Sequence, residues 1–319
     1  MAMAELRAAV IGVGKLGALH ARKYAALNGV RLVSVVDLDT ARVRQIAAEC
    51  QTAGLGDYRE LVGTVDLVSV ATPSLTHYEV AAWMLRAGVD VLLEKPMAAS
   101  VAEARELAAI AGRHGRILQI GHLERFNPAI IHLRSILRAP RFIECHRLAP
   151  FTERGTDVDV ILDLMTHDLD VILSCTEAEV VAAEAVGVAV LTDRIDVANA
   201  RLRFDDGMIA NLNTSRVAPR RERKIRFFQH DAYLSVDYEA RRIQIYRKSP
   251  PEAGSPYPVI SAEQIDLDKG DPLADEIAAF ATSVRTRQPP VVSGDDGLRV
   301  MELTERIKSA MANGEQADG

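Results

Sequence analysis

Leu6-Arg7-Ala8-Ala9-Val10-Ile11-Gly12-Val13-Gly14-Lys15-Leu16-Gly17 runs from a short apolar stretch straight into three glycines spaced G-x-G-x-x-G. A helical pattern follows over 15–27. A second apolar run over 31–36 then ends on Asp37, which lies 20 residues after Gly17. Strand, glycine turn, helix, strand and an acid at that offset are the pattern of a dinucleotide-binding βαβ unit. Gly12 makes the tight turn, Gly14 lets a pyrophosphate approach bare backbone, and Gly17 permits close helix–strand packing. The helix that begins at Lys15 and Leu16 offers unpaired N–H groups and the positive end of its dipole to the phosphates. A carboxylate at Asp37 accepts hydrogen bonds from a free ribose 2′-OH and repels a 2′-phosphate, so NAD is expected rather than NADP. Arg42, one turn into the next helix, could pair with such a phosphate and blur that preference. It could equally be a solvated helix residue covering the adenine face.

The same alternation continues to residue 121. Apolar runs over 66–71, 90–93 and 117–120 read as further strands, and 40–49, 77–86 and 101–114 read as helices. Continuous apolar runs such as Leu67-Val68-Ser69-Val70-Ala71 mark a parallel sheet covered on both faces, hence an α/β, doubly wound Rossmann domain over 1–121. Ligands bind at the carboxyl ends of such strands. Three segments therefore become candidates: Gly12–Gly17, the stretch from Thr72 and Pro73 to His77, and Glu94-Lys95-Pro96.

Beyond residue 121 the texture changes. Helices are expected over 128–137 and 159–174. In 198–204 apolar and polar residues then alternate by twos, and the turn Asp205-Asp206-Gly207 leads into 208–215 as a hairpin. The alternation resumes over 224–230, 232–237 and 242–246, as expected of an antiparallel sheet with one covered face. Residues 249–258 and 288–290 are Pro-rich and read as loops. Helices over 273–285 and 297–311 close the second domain, assigned to 122–319.

Composition excludes several classes. A chain of 319 residues is long for one core and suits two domains. Its net charge of −6 argues against nucleic acid and anionic membranes as partners. No apolar run approaches the roughly 18 residues of a membrane-spanning helix. Met1–Glu5 leads directly into the first strand, so no signal peptide is expected and a cytoplasmic location is. Cys50, Cys145 and Cys175 are far apart, so neither a disulfide framework nor a cysteine zinc site is expected.

Two further places carry chemistry. Lys95, directly after the strand over 90–93, can steady a developing alkoxide or join a proton relay, and the bond to Pro96 can be cis. It could also be a plain surface lysine at a strand end. Asp163 and His167 are spaced i, i+4 within a helical pattern, which puts them on one face. A carboxylate beside an imidazole orients it and supports its charged form, as a general base requires. The same pair could be a helix-surface contact. Zinc ligation by Asp163, His167 and Asp170 lacks the H-E-x-x-H spacing and a third histidine, so no metal is expected.

Val10-Ile11-Gly12-Val13-Gly14 with Gly17, Asp37, Thr72-Pro73-Ser74 with His77, Glu94-Lys95-Pro96, Arg125-Phe126, Asp163-x-x-x-His167 and Pro290-Val291-Val292-Ser293-Gly294 form an ordered set. In that order they resemble the Gfo/Idh/MocA family of oxidoreductases over nearly the whole chain. The resemblance implies a Rossmann domain followed by an α/β domain with a large, mostly antiparallel open sheet, through which the family forms dimers or tetramers. It also implies a catalytic group in which His167 takes the proton from a sugar hydroxyl, Asp163 orients it, and Lys95 steadies the oxygen. Within the family, Gly121–Pro128 and Asp163–Asp170 resemble a subgroup acting on nucleotide sugars. That implies NAD-dependent oxidation of a secondary hydroxyl, the 3-OH of a UDP-N-acetylhexosamine, with Arg125 and Asn127 at the substrate. Arg154 and the cluster Arg216, Arg220, Arg221, Arg223, Lys224 and Arg226 could hold a diphosphate, or the cluster could be a solvated strand end or a subunit contact. A free polyol or monosaccharide as substrate, or a non-catalytic dinucleotide sensor on the same fold, are the competing expectations.

Overall fold

The computed structural model describes residues 5–152, 158–253 and 255–317. The chain forms two compact units. The first runs to Phe126 and includes Asp271–Met301; the second holds Asn127–Gly270 and the chain from Glu302 onward.

In the first unit, β1 (Leu6–Ile11), α1 (Lys15–Ala26), β2 (Val30–Val36), α2 (Thr40–Cys50) and β3 (Ala53–Leu55) are followed by β4 (Leu67–Val70), α3 (His77–Arg86), β5 (Asp90–Leu93), α4 (Val101–His114) and β6 (Leu118–Ile120). The strands form one parallel sheet in the order β3-β2-β1-β4-β5-β6. The order reverses beside β1, which opens the crevice above the glycine turn. Burial explains the apolar runs: all four residues of β4 and of β5 are buried. Local chemistry sets the helix ends. Asp39 caps α2 by accepting from the Ala41 and Arg42 N–H groups, Ser100 caps α4 through the Glu103 N–H, and Gly115 ends α4 in the left-handed region. The short edge strand β3 is absent from the sequence reading. A run of three residues, Ala53-Gly54-Leu55, is too brief to show periodicity.

Later in the chain, α7 (Pro272–Thr286) returns to this unit. Its Leu273, Ile277, Phe280, Ala281 and Val284 share one core with Ala18, Ala21 and Tyr24 of α1. The segment after it pairs Ser293 with Gln119 on the edge of β6, and α8 (Gly294–Ala317) follows. The chain thus leaves the first unit at Phe126 and re-enters it at Asp271, whereas the change of pattern along the sequence suggested a single division after residue 121.

The second unit begins with α5 (Pro128–Ile136) and β7 (Phe142–Leu148). A π-helical turn (Ile161–Met165) then runs into α6 (Thr166–Ser174). Strands β8 (Val180–Val188), β9 (Val197–Phe204), β10 (Ile209–Ser215), β11 (Glu222–Phe228), β12 (Ala232–Asp237), β13 (Arg242–Ser249) and β14 (Val259–Asp266) complete a sheet in the order β14-β13-β12-β11-β7-β10-β9-β8. Only the β7–β10 pair is parallel. Strand β9 shows the alternation cleanly: Ala198, Ala200, Leu202 and Phe204 are buried and the residues between them are exposed. On the opposite face, Phe142, Phe228, Tyr233 and Tyr246 form a ladder with ring centroids 5.3, 4.9 and 5.6 Å apart. Strands β7, β8 and β14 were not read from the sequence. β14 is exposed at seven of its eight positions, so its residues carry no alternation to read. No helix among the described residues is long and apolar enough to cross a membrane.

Candidate active site

The glycine turn has the geometry its spacing implies. Gly12 adopts φ +84°, and a Cβ there would meet the Thr72 nitrogen at 2.7 Å. A Cβ on Gly17 would lie 1.8 Å from the Gly12 carbonyl oxygen, so this glycine brings helix and strand together. Around Gly14 the nearest atom to such a Cβ is the mobile end of Arg42, at 3.8 Å. Gly14 is also the N-cap of α1 and has no side-chain acceptor, which leaves the first N–H groups, near exposed Lys15 and Leu16, directed at the crevice.

Asp37 ends β2 with both oxygens engaged. Oδ2 accepts from the Val13 N–H at 2.8 Å and Oδ1 from the Asp39 N–H at 3.0 Å, which fixes the carboxylate beside the turn. Arg42 lies 4.0 Å from Asp37 and 3.5 Å from Asp39, so two carboxylates hold it. A cleft of about 330 Å³ opens between Asp37 and the Thr72-Pro73 turn, lined also by Gly12, Leu38, Tyr58 and Arg59. Arg59 lies 4.7 Å from the centre of the Tyr58 ring and pairs with Asp57 and Glu79. Tyr58 and Arg59 were missed in the sequence because they follow β3. Had that strand been recognised, the rule about carboxyl ends would have found them. A carboxylate at the ribose position, an apolar cleft and bare backbone at the phosphate position fit a dinucleotide.

The other two crevice segments are tied together from below. Buried His77 directs Nδ1 at the Pro96 carbonyl, 2.7 Å away, and Nε2 at the Thr72 carbonyl, 2.9 Å away. His77 thus braces both loops, with both ring nitrogens turned to backbone. Burial pushes its pKa below the ordinary 6.5, and the two carbonyls together with Glu94 offset this only in part. The Lys95–Pro96 bond is cis. Lys95 is half-buried, while Glu94 beside it is buried and meets His20 Nε2 at 3.0 Å. Arg125 is buried in a 3₁₀ turn with Asp296 at 3.7 Å.

In the second unit, Asp163 sits inside the π-helical turn and His167 in the first turn of α6, both half-buried. The regular helix expected over 159–174 is therefore interrupted at the residues of interest, a place where π turns recur in functional sites. His167 precedes Asp168, whose carboxylate receives a bidentate pair from Arg147 of β7 at 2.8 and 2.9 Å, both side chains being buried. Asn127 caps α5 by accepting from the Ala129 N–H and donates to the Tyr238 carbonyl at 3.3 Å. Arg154 lies outside the described residues. The basic cluster is largely a set of ion pairs: Arg216 with Asp196, Arg221 with Glu239, Lys224 with Asp237, and Arg226 with Glu144 and Glu222. Among the described residues, the one group of acid and histidine side chains close enough to share an ion is His20, Glu94 and Glu276, all in the first unit.

Comparison with known proteins bears on these features. Residues 6–122 match the oxidoreductase-family model with an NAD-binding Rossmann fold, and residues 129–235 match the Gfo/Idh/MocA C-terminal domain. UDP-N-acetylglucosamine 3-dehydrogenase from Acidithiobacillus ferrooxidans is 40% identical over 312 residues, spanning 97% of this chain and 98% of that protein. A solved structure of that enzyme superposes with a TM-score of 0.90, covering 96% of this chain and 97% of the other. The myo-inositol dehydrogenase Hyg17 of Streptomyces leeuwenhoekii is 31% identical over 66% of this chain and 70% of its own length. A scyllo-inositol dehydrogenase from Lactobacillus casei, solved with NAD(H) and scyllo-inositol, shares the fold at 18% identity, with a TM-score of 0.79 and 97% of each chain covered.

Proposed function

The chain belongs to the Gfo/Idh/MocA family of NAD-binding oxidoreductases, and from that premise we propose that it oxidises the 3-hydroxyl of UDP-N-acetylglucosamine to a ketone. The observation that carries this reading is 40% identity with a UDP-N-acetylglucosamine 3-dehydrogenase along 97% of the chain. NAD, when bound, accepts the hydride at C4 of its nicotinamide. His167 takes the hydroxyl proton as general base, Asp163 orients the imidazole and supports its charge, and Lys95 steadies the oxygen. Asp37 selects NAD over NADP through the ribose hydroxyls. Arg125, Asn127 and Arg154 are assigned to the substrate side. The paired state of Arg216, Arg221, Lys224 and Arg226 favours a structural role for that cluster. The enzyme works in the cytoplasm as a homodimer or homotetramer through the open sheet of the second unit, and the aromatic ladder supports that surface.

A substrate panel tests the proposal. UDP-N-acetylglucosamine, free N-acetylglucosamine, glucose and myo-inositol are each supplied with NAD or NADP, and formation of the reduced cofactor is followed. Turnover of the UDP-sugar with NAD is expected. Robust turnover of a free sugar or polyol alone removes the nucleotide-sugar reading, and no turnover of any substrate favours a dinucleotide-sensing role. Lys95→Ala and His167→Ala should each abolish turnover while NADH affinity stays near that of the parent. Wild-type turnover in either variant refutes its assigned role.

A further inference from the structure

A buried polar chain runs to Glu94, the residue before Lys95. Tyr24 Oη and Ser69 Oγ are 3.0 Å apart, Ser69 Oγ lies 3.1 Å from His20 Nδ1, and His20 Nε2 lies 3.0 Å from Glu94 Oε1. Glu276 of α7 joins its end: a ring nitrogen of His20 and carboxyl oxygens of Glu94 and Glu276 all lie within 4.8 Å of one another. Glu276 is 1% exposed, and neither of its carboxyl oxygens meets a donor among the described residues. Gln119 donates through Nε2 to the Glu276 carbonyl, yet its own Oε1 is a further buried acceptor with no donor. Gly121 leaves room for the group, because a Cβ there would sit 3.0 Å from Glu94 Oε2. The pocket is thus rich in acceptors and short of hydrogens. Two carboxylates this close and largely shut off from water repel each other strongly, so the arrangement favours a proton on one of them.

We propose that Glu276 holds a proton through the neutral range and acts as a positioning residue for the nicotinamide end of the cofactor site. As a neutral acid it leaves Glu94 the single carboxylate anion of the cluster, and Glu94 anchors the turn that carries Lys95. Ionisation of Glu276 at alkaline pH places a second negative charge against Glu94 and loosens that turn. The positioning role rests on the reading of Lys95 given above. Burial first, and the charge of Glu94 second, push the Glu276 carboxyl well above its ordinary 4.5.

α7 packs against α1, β5 and the 3₁₀ turn that carries Arg125. From α1, Tyr24 and His20 face Glu276, while Lys23 pairs with Asp271. Beyond β5 stands Glu94, and Asp90 within the strand is paired to Arg287. Arg125 is paired to Asp296, and β6 contributes the neutral Gln119.

The test compares wild type with Glu276→Gln, which keeps the shape and fixes the neutral state. In the unfolded chain Glu276 ionises near 4.5; in the folded chain it ionises much higher. The folded state therefore holds the extra proton, and wild type loses stability as pH rises above 4.5 until the folded group itself ionises. Relative to wild type, the unfolding constant of Glu276→Gln should fall about tenfold per pH unit across that window, then level off. Difference infrared spectra should show a protonated-carboxyl band that the variant lacks. Fluorescence titration should show wild-type NADH affinity weakening at the alkaline pH where the stability gain levels off, with the variant flat. A pH-independent ratio of unfolding constants overturns the proposal, as does wild-type NADH affinity that ignores pH. Stabilisation of wild type but not the variant by added zinc also overturns it, since the cluster is then a cation site. None of these readouts needs the sugar reaction, so failure here and failure of the substrate assignment are told apart.

Discussion

Replacing Arg147 by alanine should destabilise the second unit by about 5 kcal/mol. Arg147 Nε and Nη2 meet the two oxygens of Asp168 at 2.8 and 2.9 Å, and both side chains are only 2% exposed. Removing one partner of such a pair strands the other charge in the interior, at a cost of about 3–5 kcal/mol. The guanidinium also lies 5.2 Å from the Tyr238 ring centre, worth about 0.5–2 kcal/mol more where water is excluded. The sum is a large share of the roughly 5–15 kcal/mol that holds a domain folded. At about 2–4 °C per kcal/mol it lowers the melting point by roughly 10–20 °C. Urea unfolding followed by far-UV circular dichroism measures the loss. Trp83, the single tryptophan, lies in α3 and reports the first unit by fluorescence, so the two transitions can be separated. The double variant Arg147→Met/Asp168→Leu should recover most of the loss, because apolar residues of similar volume replace a buried ion pair at little net cost. Since Asp168 follows His167 in α6, Arg147→Ala should also lower kcat more than it changes NADH affinity. A loss below about 1 kcal/mol, or a double variant as unstable as the single one, refutes the reasoning.

Four other perturbations separate local roles. Gly17→Ala places a methyl group 1.8 Å from the Gly12 carbonyl, so overpacking of about 1–3 kcal/mol or more should exceed the ~1 kcal/mol of helix propensity gained, and the apo-protein should melt lower. Gly14→Ala meets nothing nearer than 3.8 Å, so the apo-protein should melt within a few degrees of the parent while NADH affinity by fluorescence titration largely disappears. Asp37→Asn keeps an acceptor for the Val13 N–H but removes the charge, so the ratio of NAD to NADP turnover should narrow; an unchanged ratio denies Asp37 its part in selection. Burial alone would raise the Asp196 pKa, but the N–H groups of Thr192, Leu191 and Val190 and the Thr192 hydroxyl hold it well below the ordinary 3.8. Its folded pKa is depressed, so its stabilisation is present above 3.8 and fades as pH falls below. The deficit of Asp196→Asn in denaturant unfolding should therefore shrink in acid.

What could be read from the chain was what is recorded locally. The glycine turn, Asp37 and the hairpin at Asp205-Asp206-Gly207 depend on residues within one turn or one βαβ unit, where spacing alone carries the geometry. The π-helical turn around Asp163 escaped because an i, i+4 pattern reads the same whether or not one wider turn is inserted. The basic run from Arg216 to Arg226 could be read as a diphosphate cradle, a solvated strand end or a subunit contact, because most of its counter-charges are remote in sequence. Register supplies them: Arg226 lies directly opposite Glu144 across β11 and β7, and Lys224 opposite Asp237 across β11 and β12. Glu276 is the extreme case. It lies in a stretch that reads as an ordinary amphipathic helix, and its partners come from α1, the end of β5 and the edge of β6. Only the return of Asp271–Met301 to the first unit makes it part of the cofactor domain. A residue near the end of the chain can thus set the charge at the lysine turn, which makes Glu276→Gln a test of the fold's long-range wiring as well as of one proton.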